Sequence, residues 1–204
     1  MDSKRIGRAG LLSVLAAGAL LAGAFCQSGC EPYGVSAAAG ADTVSVALPA
    51  HFGGARADLF LYRITSRKTG ERIGVARSFR VEQDRQVRSV LQLRDLKPGT
   101  ELLVHVLWLN PDGKEVYTKE IRVREQDWSD EALRAQLESN HVVLDPAKGL
   151  FELESRYGVG PDRIDEELHK AEDKREFKLG TWTVRAYLYR QLILETSFDL
   201  LPME

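Results

Sequence analysis

From residue 42 onward the chain runs in short segments in which apolar and polar residues alternate, separated by clusters of turn-forming residues. Successive strand side chains point to opposite faces, so this period of two predicts strands with one face on a core. The pattern places strands near residues 43–48, 57–65, 72–81, 86–94, 101–109, 115–123, 141–145, 149–155, 181–189 and 192–200. Ser66-Arg67-Lys68-Thr69-Gly70 predicts a hairpin turn between Leu59-Phe60-Leu61 and Ile73-Gly74-Val75. Lys97-Pro98-Gly99-Thr100 suits a type II turn, with proline presetting φ and glycine taking the positive φ that follows. Asn110-Pro111-Asp112-Gly113 must return the strand ending at Leu109 toward Tyr117 and Ile121.

Two strands carry more detail. In residues 102–109 both alternating sets are apolar except for His105, which predicts a strand covered on both faces. Near the C-terminus Trp182, Val184, Ala186 and Leu188 face one way and Thr181, Thr183, Arg185, Tyr187 and Tyr189 the other. Leu192, Leu194, Phe198 and Leu200 repeat the buried side, so the last two strands form a terminal hairpin on the core, with Trp182 and Phe198 as its large apolar anchors.

Two segments break the β pattern. Residues 128–140 have Asp127 or Ser129 as an N-cap, acidic residues in the first turn, Leu133 and Leu137 four apart and Asn140 as a stop signal, which predicts a short helix. Residues 160–175 place Pro161 at a helix start, with Ile164 and Leu168 on one face among dense mixed charge. That composition fits a solvated helix or a partly disordered insertion, and a helix docking a partner through Ile164 and Leu168 is a further reading.

The first thirty residues have a different character. Lys4, Arg5 and Arg8 precede an apolar run over residues 10–25 that ends near Cys26 and Cys30. The run has sixteen residues, short of the roughly 20 needed to cross a bilayer core, so an export signal is expected rather than a membrane-spanning helix. Ala22-Gly23-Ala24 is an A-x-A site that would release a chain starting at Phe25, and Ala39-Gly40-Ala41 repeats the motif far downstream. Ser28-Gly29-Cys30 resembles the end of a bacterial lipobox, in which small residues precede a cysteine that becomes the lipidated N-terminus; Gln27 departs from that pattern, where an aliphatic residue is usual. The resemblance implies a lipid anchor at Cys30, with Cys26 as the poorer alternative because bulky Phe25 stands before it. In a simply secreted chain the two cysteines would be free to form a small disulfide loop. Residues 31–41 are small, contain one proline and lack periodicity, as a flexible tether does. The expected organisation is a signal at 1–29, a tether at 30–41 and one domain at 42–204.

Gly180-Thr181-Trp182-Thr183-Val184, followed by Glu195-Thr196-Ser197-Phe198, carries a second resemblance. It is similar to the closing hairpin of bacterial secreted Ig-like β-sandwich domains, and Leu96-Lys97-Pro98-Gly99, Trp108 and Pro111-Asp112-Gly113 match the middle of that pattern. The implied fold is mainly β, an antiparallel Ig-like sandwich with one or two short helical insertions. The chain departs from the pattern at Tyr189-Arg190-Gln191, where Asp-Gly is usual, and at the charged segment ahead of Gly180. The family has no shared catalytic residue, and a sandwich by itself specifies no function.

Charge is split along the chain. Residues 51–100 hold 11 Lys and Arg against 5 Asp and Glu, while residues 101–204 hold 14 against 22. Either the basic part, with Arg56, Arg63, Arg67, Lys68, Arg72, Arg77, Arg80, Arg85 and Arg88, faces an anionic lipid or polysaccharide, or basic and acidic strands pair within the sheets. Nucleic acid is not expected, because the chain is exported and its basic residues lack interleaved aromatics. His51, His105, His141 and His169 have no metal-pair spacing, and no G-x-S-x-G elbow occurs, so neither a metal, a cofactor nor a catalytic residue is assigned. Arg185, Tyr187, Tyr189 and Arg190 form a candidate binding patch on the last hairpin. The expected function is a membrane-anchored envelope protein acting as a non-enzymatic binding or assembly module for an envelope protein or polysaccharide. One alternative is a carbohydrate-binding module stacking sugars on Tyr187, Tyr189 or Trp128. The other is a hydrolase using two carboxylates among Glu152, Glu154, Asp165 and Glu166.

Overall fold

The alternating segments form strands wherever one apolar set finds a core to cover. The computed structural model describes residues 42–81, 83–159 and 178–202. The signal, Cys26, Cys30 and the charged segment 160–175 lie outside the described residues. The strands are β1 (Thr43–Ala47), β2 (Arg56–Tyr62), β3 (Ile64–Thr65), β4 (Arg72–Ile73), β5 (Ser78–Arg80), β6 (Gln86–Arg94), β7 (Leu102–Leu109), β8 (Glu115–Val123), β9 (Val142–Asp145), β10 (Leu150–Gly158), β11 (Gly180–Leu188) and β12 (Gln191–Leu201). One sheet has the order β1-β2-β6-β10-β9 and the second β5-β12-β11-β7-β8, while β3 and β4 make a separate two-stranded ribbon. All pairings are antiparallel except β5 with β12.

This is an Ig-like sandwich. The run β2-β6-β10-β9 follows the A-B-E-D order and β12-β11-β7-β8 the G-F-C-C′ order of that fold. The first strand crosses over: β2 lies in one sheet and β5 joins the other beside β12, with the ribbon inserted between them.

Trp108 on β7, Trp182 on β11, Phe198 on β12, Phe79 on β5 and Phe151 on β10 fill the space between the sheets. The rings of Trp108, Trp182 and Phe79 each contact that of Phe198 in stacked or edge-on pairs, Phe79 with Phe198 at 5.4 Å and Trp182 with Phe198 at 6.1 Å between centroids. The Trp108 indole donates to the Ser155 hydroxyl at 2.8 Å, and Ser155 in turn meets Ser89 at 2.7 Å, all three fully or nearly fully buried. In antibody-type domains the tryptophan of this strand packs on a disulfide between the sheets. Here a pair of serines on β6 and β10 accompanies it instead.

Several expectations need correction. The hairpin turn is present, with the Gly70 amide donating to the Ser66 carbonyl, but it joins Ile64-Thr65 to Arg72-Ile73 rather than the Leu59-Leu61 stretch to Val75. The chain leaves the sheet at Arg63, so the long strand expected at 57–65 divides, and the one at 72–81 divides into β4 and β5. Strand β7 is buried on one face only, because Leu103, His105 and Leu107 lie half-exposed on the outside of the second sheet. Leu192 is exposed, since a register shift opposite Ala186 and Tyr187 admits Ile193 to the interior in its place.

The helix, α1 (Glu131–Ser139), is capped one residue past Ser129: Asp130 accepts from the amides of Ala132 and Leu133. Asp127 belongs to a preceding 3-10 turn and accepts from the Arg124 amide at 2.7 Å. The last hairpin does close with a tight two-residue turn. Tyr189 and Arg190 both hold positive φ, 49° and 67°, which type I′ geometry needs and which Asp-Gly would reach with less strain.

Candidate functional site

Side chains of β2, β6 and β10 that point away from the core gather on the outer face of the first sheet. They are Phe60 and Tyr62 from β2, Arg88 and Gln92 from β6, and Glu152 and Glu154 from β10, with registers that place them side by side. An outer sheet face is normally wet. Here Tyr62 is fully buried and Glu152 and Gln92 are each 8% exposed, because the β3-β4 ribbon folds over them.

The contacts under the ribbon form one polar network. Arg72 of β4 pairs with Glu152, whose other oxygen accepts from the Gln92 amide at 2.7 Å. The Arg72 guanidinium also lies 5.7 Å from the ring centre of Phe60 and 5.8 Å from that of Tyr62. Beside it the Tyr62 hydroxyl donates to Glu154 at 2.6 Å, Arg88 approaches the same carboxylate at 3.4 Å, and the Thr65 hydroxyl of β3 meets Tyr62 at 3.2 Å. Burial, then the Glu154 carboxylate, pushes the Tyr62 phenol above its usual range. At the neighbouring edge Arg94 pairs with Asp58, which accepts from the Ser45 hydroxyl.

The ribbon is therefore amphipathic with its apolar side outward. Ile64 and Ile73 are directly paired, as are Thr65 and Arg72, and adjacent pairs face opposite sides. Thr65 and Arg72 bond to the sheet, so Ile64 and Ile73 look into solvent, 55% and 50% exposed, with Val75 at 39%. A shallow groove of about 690 Å³ runs between Phe60 and residues 70–75 of the ribbon.

The patch expected on the last hairpin is divided. Arg185 pairs with Glu195 at 2.5 Å, and Tyr187 stands next to His105 on the open outer face of the second sheet. Tyr189 leaves that face: its hydroxyl donates to the Glu101 carbonyl at 2.6 Å, and its ring stacks at 6.4 Å on Phe52. Arg190 is exposed at the turn. Trp128 offers no stacking platform, being 3% exposed with its indole donating to the Thr100 carbonyl. Among the carboxylates proposed as a catalytic pair, Glu152 and Glu154 are neighbours, but both are engaged by the network above, and Asp165 and Glu166 lie outside the described residues. Cation–carboxylate pairing within the fold accounts for Arg63 with Asp84, Arg72, Arg88 and Arg94 among the basic residues. Among the described residues no three His, Cys, Asp or Glu side chains converge as a metal site, and no helix is long and apolar enough to cross a membrane.

Sequence reasoning missed the ribbon network. The alternation of Glu152 and Glu154 with Phe151, Leu153 and Ser155 was a signal that both acids share an outer face. Their arginine partners stand 66 and 80 positions away, where local pattern gives no information.

No protein-family model matches the chain, and no curated protein sequence does. Among solved structures it is similar to an immunoglobulin-like protein from Pseudomonas aeruginosa, at 13% identity over 69% of this chain and 91% of that one, with a TM-score of 0.35. A second likeness, at 8% identity and a TM-score of 0.35, covers 61% of this chain and 27% of an alkylpurine DNA glycosylase from Pseudomonas fluorescens bound to DNA with an abasic-site analogue. At that similarity neither likeness carries a functional argument.

Proposed function

We propose that this chain is an exported, lipid-anchored envelope protein whose Ig-like sandwich serves as a non-enzymatic binding or assembly module. The observation that carries the reading is the order of segments: a basic and apolar leader, Ser28-Gly29-Cys30, a short tether, and then a sandwich. Acyl chains on a cysteine contribute about 0.8 kcal/mol per buried CH₂, and more than one chain is needed for lasting attachment. The internal pairing of Glu152 and Glu154 supports a binding rather than a hydrolytic role, because each acid already has a cation and a second hydrogen-bond partner.

Intact-mass analysis of the chain from membrane and soluble fractions tests the anchor. An acylated N-terminus at Cys30, absent from Cys30→Ala and retained in Cys26→Ala, is expected. An unmodified soluble chain starting at Phe25 would overturn it. Crosslinking in intact cells tests the module, which loses its support if no envelope component is captured. Carbohydrate binding is the second reading, favoured by Tyr187 on the open outer face of the second sheet. It requires retention on polysaccharide columns that Tyr187→Ala abolishes.

A further inference from the structure

Two of the ribbon's apolar side chains, Ile64 and Ile73, form one outward-facing pair, and Val75 is exposed just beyond it. The turn at the ribbon's tip, residues 66–70, carries Arg67 and Lys68, both exposed, and Arg77 follows just outside the ribbon. Glu71 is the one acidic residue between Arg63 and Arg77. The inward cation, Arg72, is neutralised by Glu152, whereas Arg67 and Lys68 have no carboxylate partner among the described residues.

The chain enters the domain at this same end. Thr43, at the start of β1, pairs with Phe60, near the end of β2 from which the ribbon departs. Phe60 also lines the groove beside Arg72 and Ile73. Eleven residues separate Cys30 from Asp42, a span of at most about 40 Å at full extension. A domain held through Cys30 thus has its entry end, and the ribbon with it, within reach of the bilayer.

We propose that the β3-β4 ribbon is a membrane-contacting foot that docks on anionic phospholipid, with Ile64, Ile73 and Val75 entering the headgroup region and Arg67 and Lys68 meeting the lipid phosphates. Paired apolar residues beside exposed cations are what an anionic interface selects, since burial and surface charge then act together. The polar network under the ribbon holds the apolar side outward, in place of the collapse onto the core that its alternation would otherwise favour. The orientation of the foot rests on the anchored reading above; its affinity for lipid does not.

Amide hydrogen exchange on the mature chain from the envelope, in vesicles of phosphatidylcholine alone or with added phosphatidylglycerol, separates the two. Exchange over residues 64–75 is expected to slow by at least about tenfold in the anionic vesicles and to recover at high salt, where the screening length shrinks. Arg67→Glu/Lys68→Glu and Ile64→Ser/Ile73→Ser should each remove the protection, while residues 97–100, in the turn after β6 at the opposite end of the first sheet, exchange alike throughout and report an intact fold. Equal exchange in the two vesicle types would overturn the proposal, as would protection that appears only with an envelope protein extract. If the chain carries no acyl group and stays free of phosphatidylcholine vesicles, the anchor reading fails by itself. Adding phosphatidylglycerol vesicles to the soluble chain then decides the foot by the same criterion.

Discussion

Removing Arg72 is the sharpest test of how the ribbon is held. Its guanidinium is the cation facing Glu152, a carboxylate 8% exposed on the outer face of the first sheet. Breaking a deeply buried ion pair by deleting one partner costs about 3–5 kcal/mol, because the other charge is left unpaired. Arg72 has 27% of its side chain exposed, and Glu152 keeps the Gln92 amide, so water screening lowers that figure to about 2 kcal/mol. Loss of the guanidinium from the Phe60 and Tyr62 rings adds roughly 0.5–1 kcal/mol, giving about 3 kcal/mol for Arg72→Ala. The cost has a ceiling, since the ribbon is free to lift and let water reach Glu152. The damage should therefore appear first as faster amide exchange at Arg63, Ser66 and Gly70, whose hydrogen bonds close the ribbon. The remainder should appear as a fall in melting temperature, at roughly 2–4 °C per kcal/mol for a chain of this size. Arg72→Met/Glu152→Gln removes both charges and should restore most of the loss, to within about 1 kcal/mol of wild type. Denaturant titration and exchange on the three chains decide it. An Arg72→Ala chain with unchanged stability and unchanged ribbon exchange, or a double variant worse than the single, would refute the reasoning.

Other parts of the fold make separate predictions. Ser155→Ala orphans the Trp108 indole N–H and takes a partner from Ser89, so chemical denaturation should show a loss of about 2 kcal/mol. Gly149 sits at φ 58°, and an added Cβ would meet the Leu96 carbonyl oxygen at 2.3 Å; Gly149→Ala should cost about 2–4 kcal/mol by thermal melt, against about 1 kcal/mol for Gly113→Ala, where φ is also left-handed at 74° but the space is open. Tyr62 has its pKa raised in the fold, so the unfolded chain loses the phenolic proton first; the phenol's share of stability is intact below about pH 10 and declines as pH climbs toward the folded value. Tyr62→Phe should flatten the alkaline slope of unfolding free energy above that pH, and an unaltered slope would remove Tyr62 as its source. On edge strand β8, Lys119 reaches to the Asn140 and Glu154 carbonyls at 2.6 and 2.8 Å, an inward charge that discourages pairing of exposed edges. Lys119→Val should produce concentration-dependent association in sedimentation velocity.

How far the fold was legible follows from what a period of two encodes. Trp182, Val184, Ala186 and Leu188 alternate against Thr181, Thr183 and Arg185, and all four are buried on β11, because a strand over a core permits one assignment of faces. The same rule failed at Ile64 and Ile73. Alternation tells which residues share a face but not which face meets the core, and here Thr65 and Arg72 find partners in the sheet while the isoleucines do not. It failed again at Leu192, where one inserted residue exchanges the faces beyond the bulge. At the C-terminal turn the departure from Asp-Gly changed the strain and left the geometry, since the nine residue pairs of β11 and β12 hold Tyr189 and Arg190 in the left-handed region and the Tyr189 hydroxyl ties the turn to Glu101. The candidate site was less legible than the fold, because each of its ion pairs joins residues far apart in the chain.

The placement of polarity in this sandwich bears on function more than the fold does. A conventional layout would spread its arginines and glutamates over wet sheet faces and turn its isoleucines inward. This chain buries Tyr62, Glu152 and Gln92 outside the core and commits Arg72 and Arg88 to them. Each of those pairings carries a desolvation cost that an apolar ribbon packed on an apolar sheet would avoid. Such an arrangement is intelligible if the ribbon's outer surface has a task of its own, because the polar underside is what prevents the ribbon from closing on itself and hiding its isoleucines. Replacing Thr65, Arg72, Tyr62 and Glu152 together by apolar residues should then yield a sandwich at least as stable as wild type, while exchange over residues 64–75 no longer responds to anionic lipid. A chain that kept that response after the underside was made apolar would show that the polar network is irrelevant to what the ribbon does.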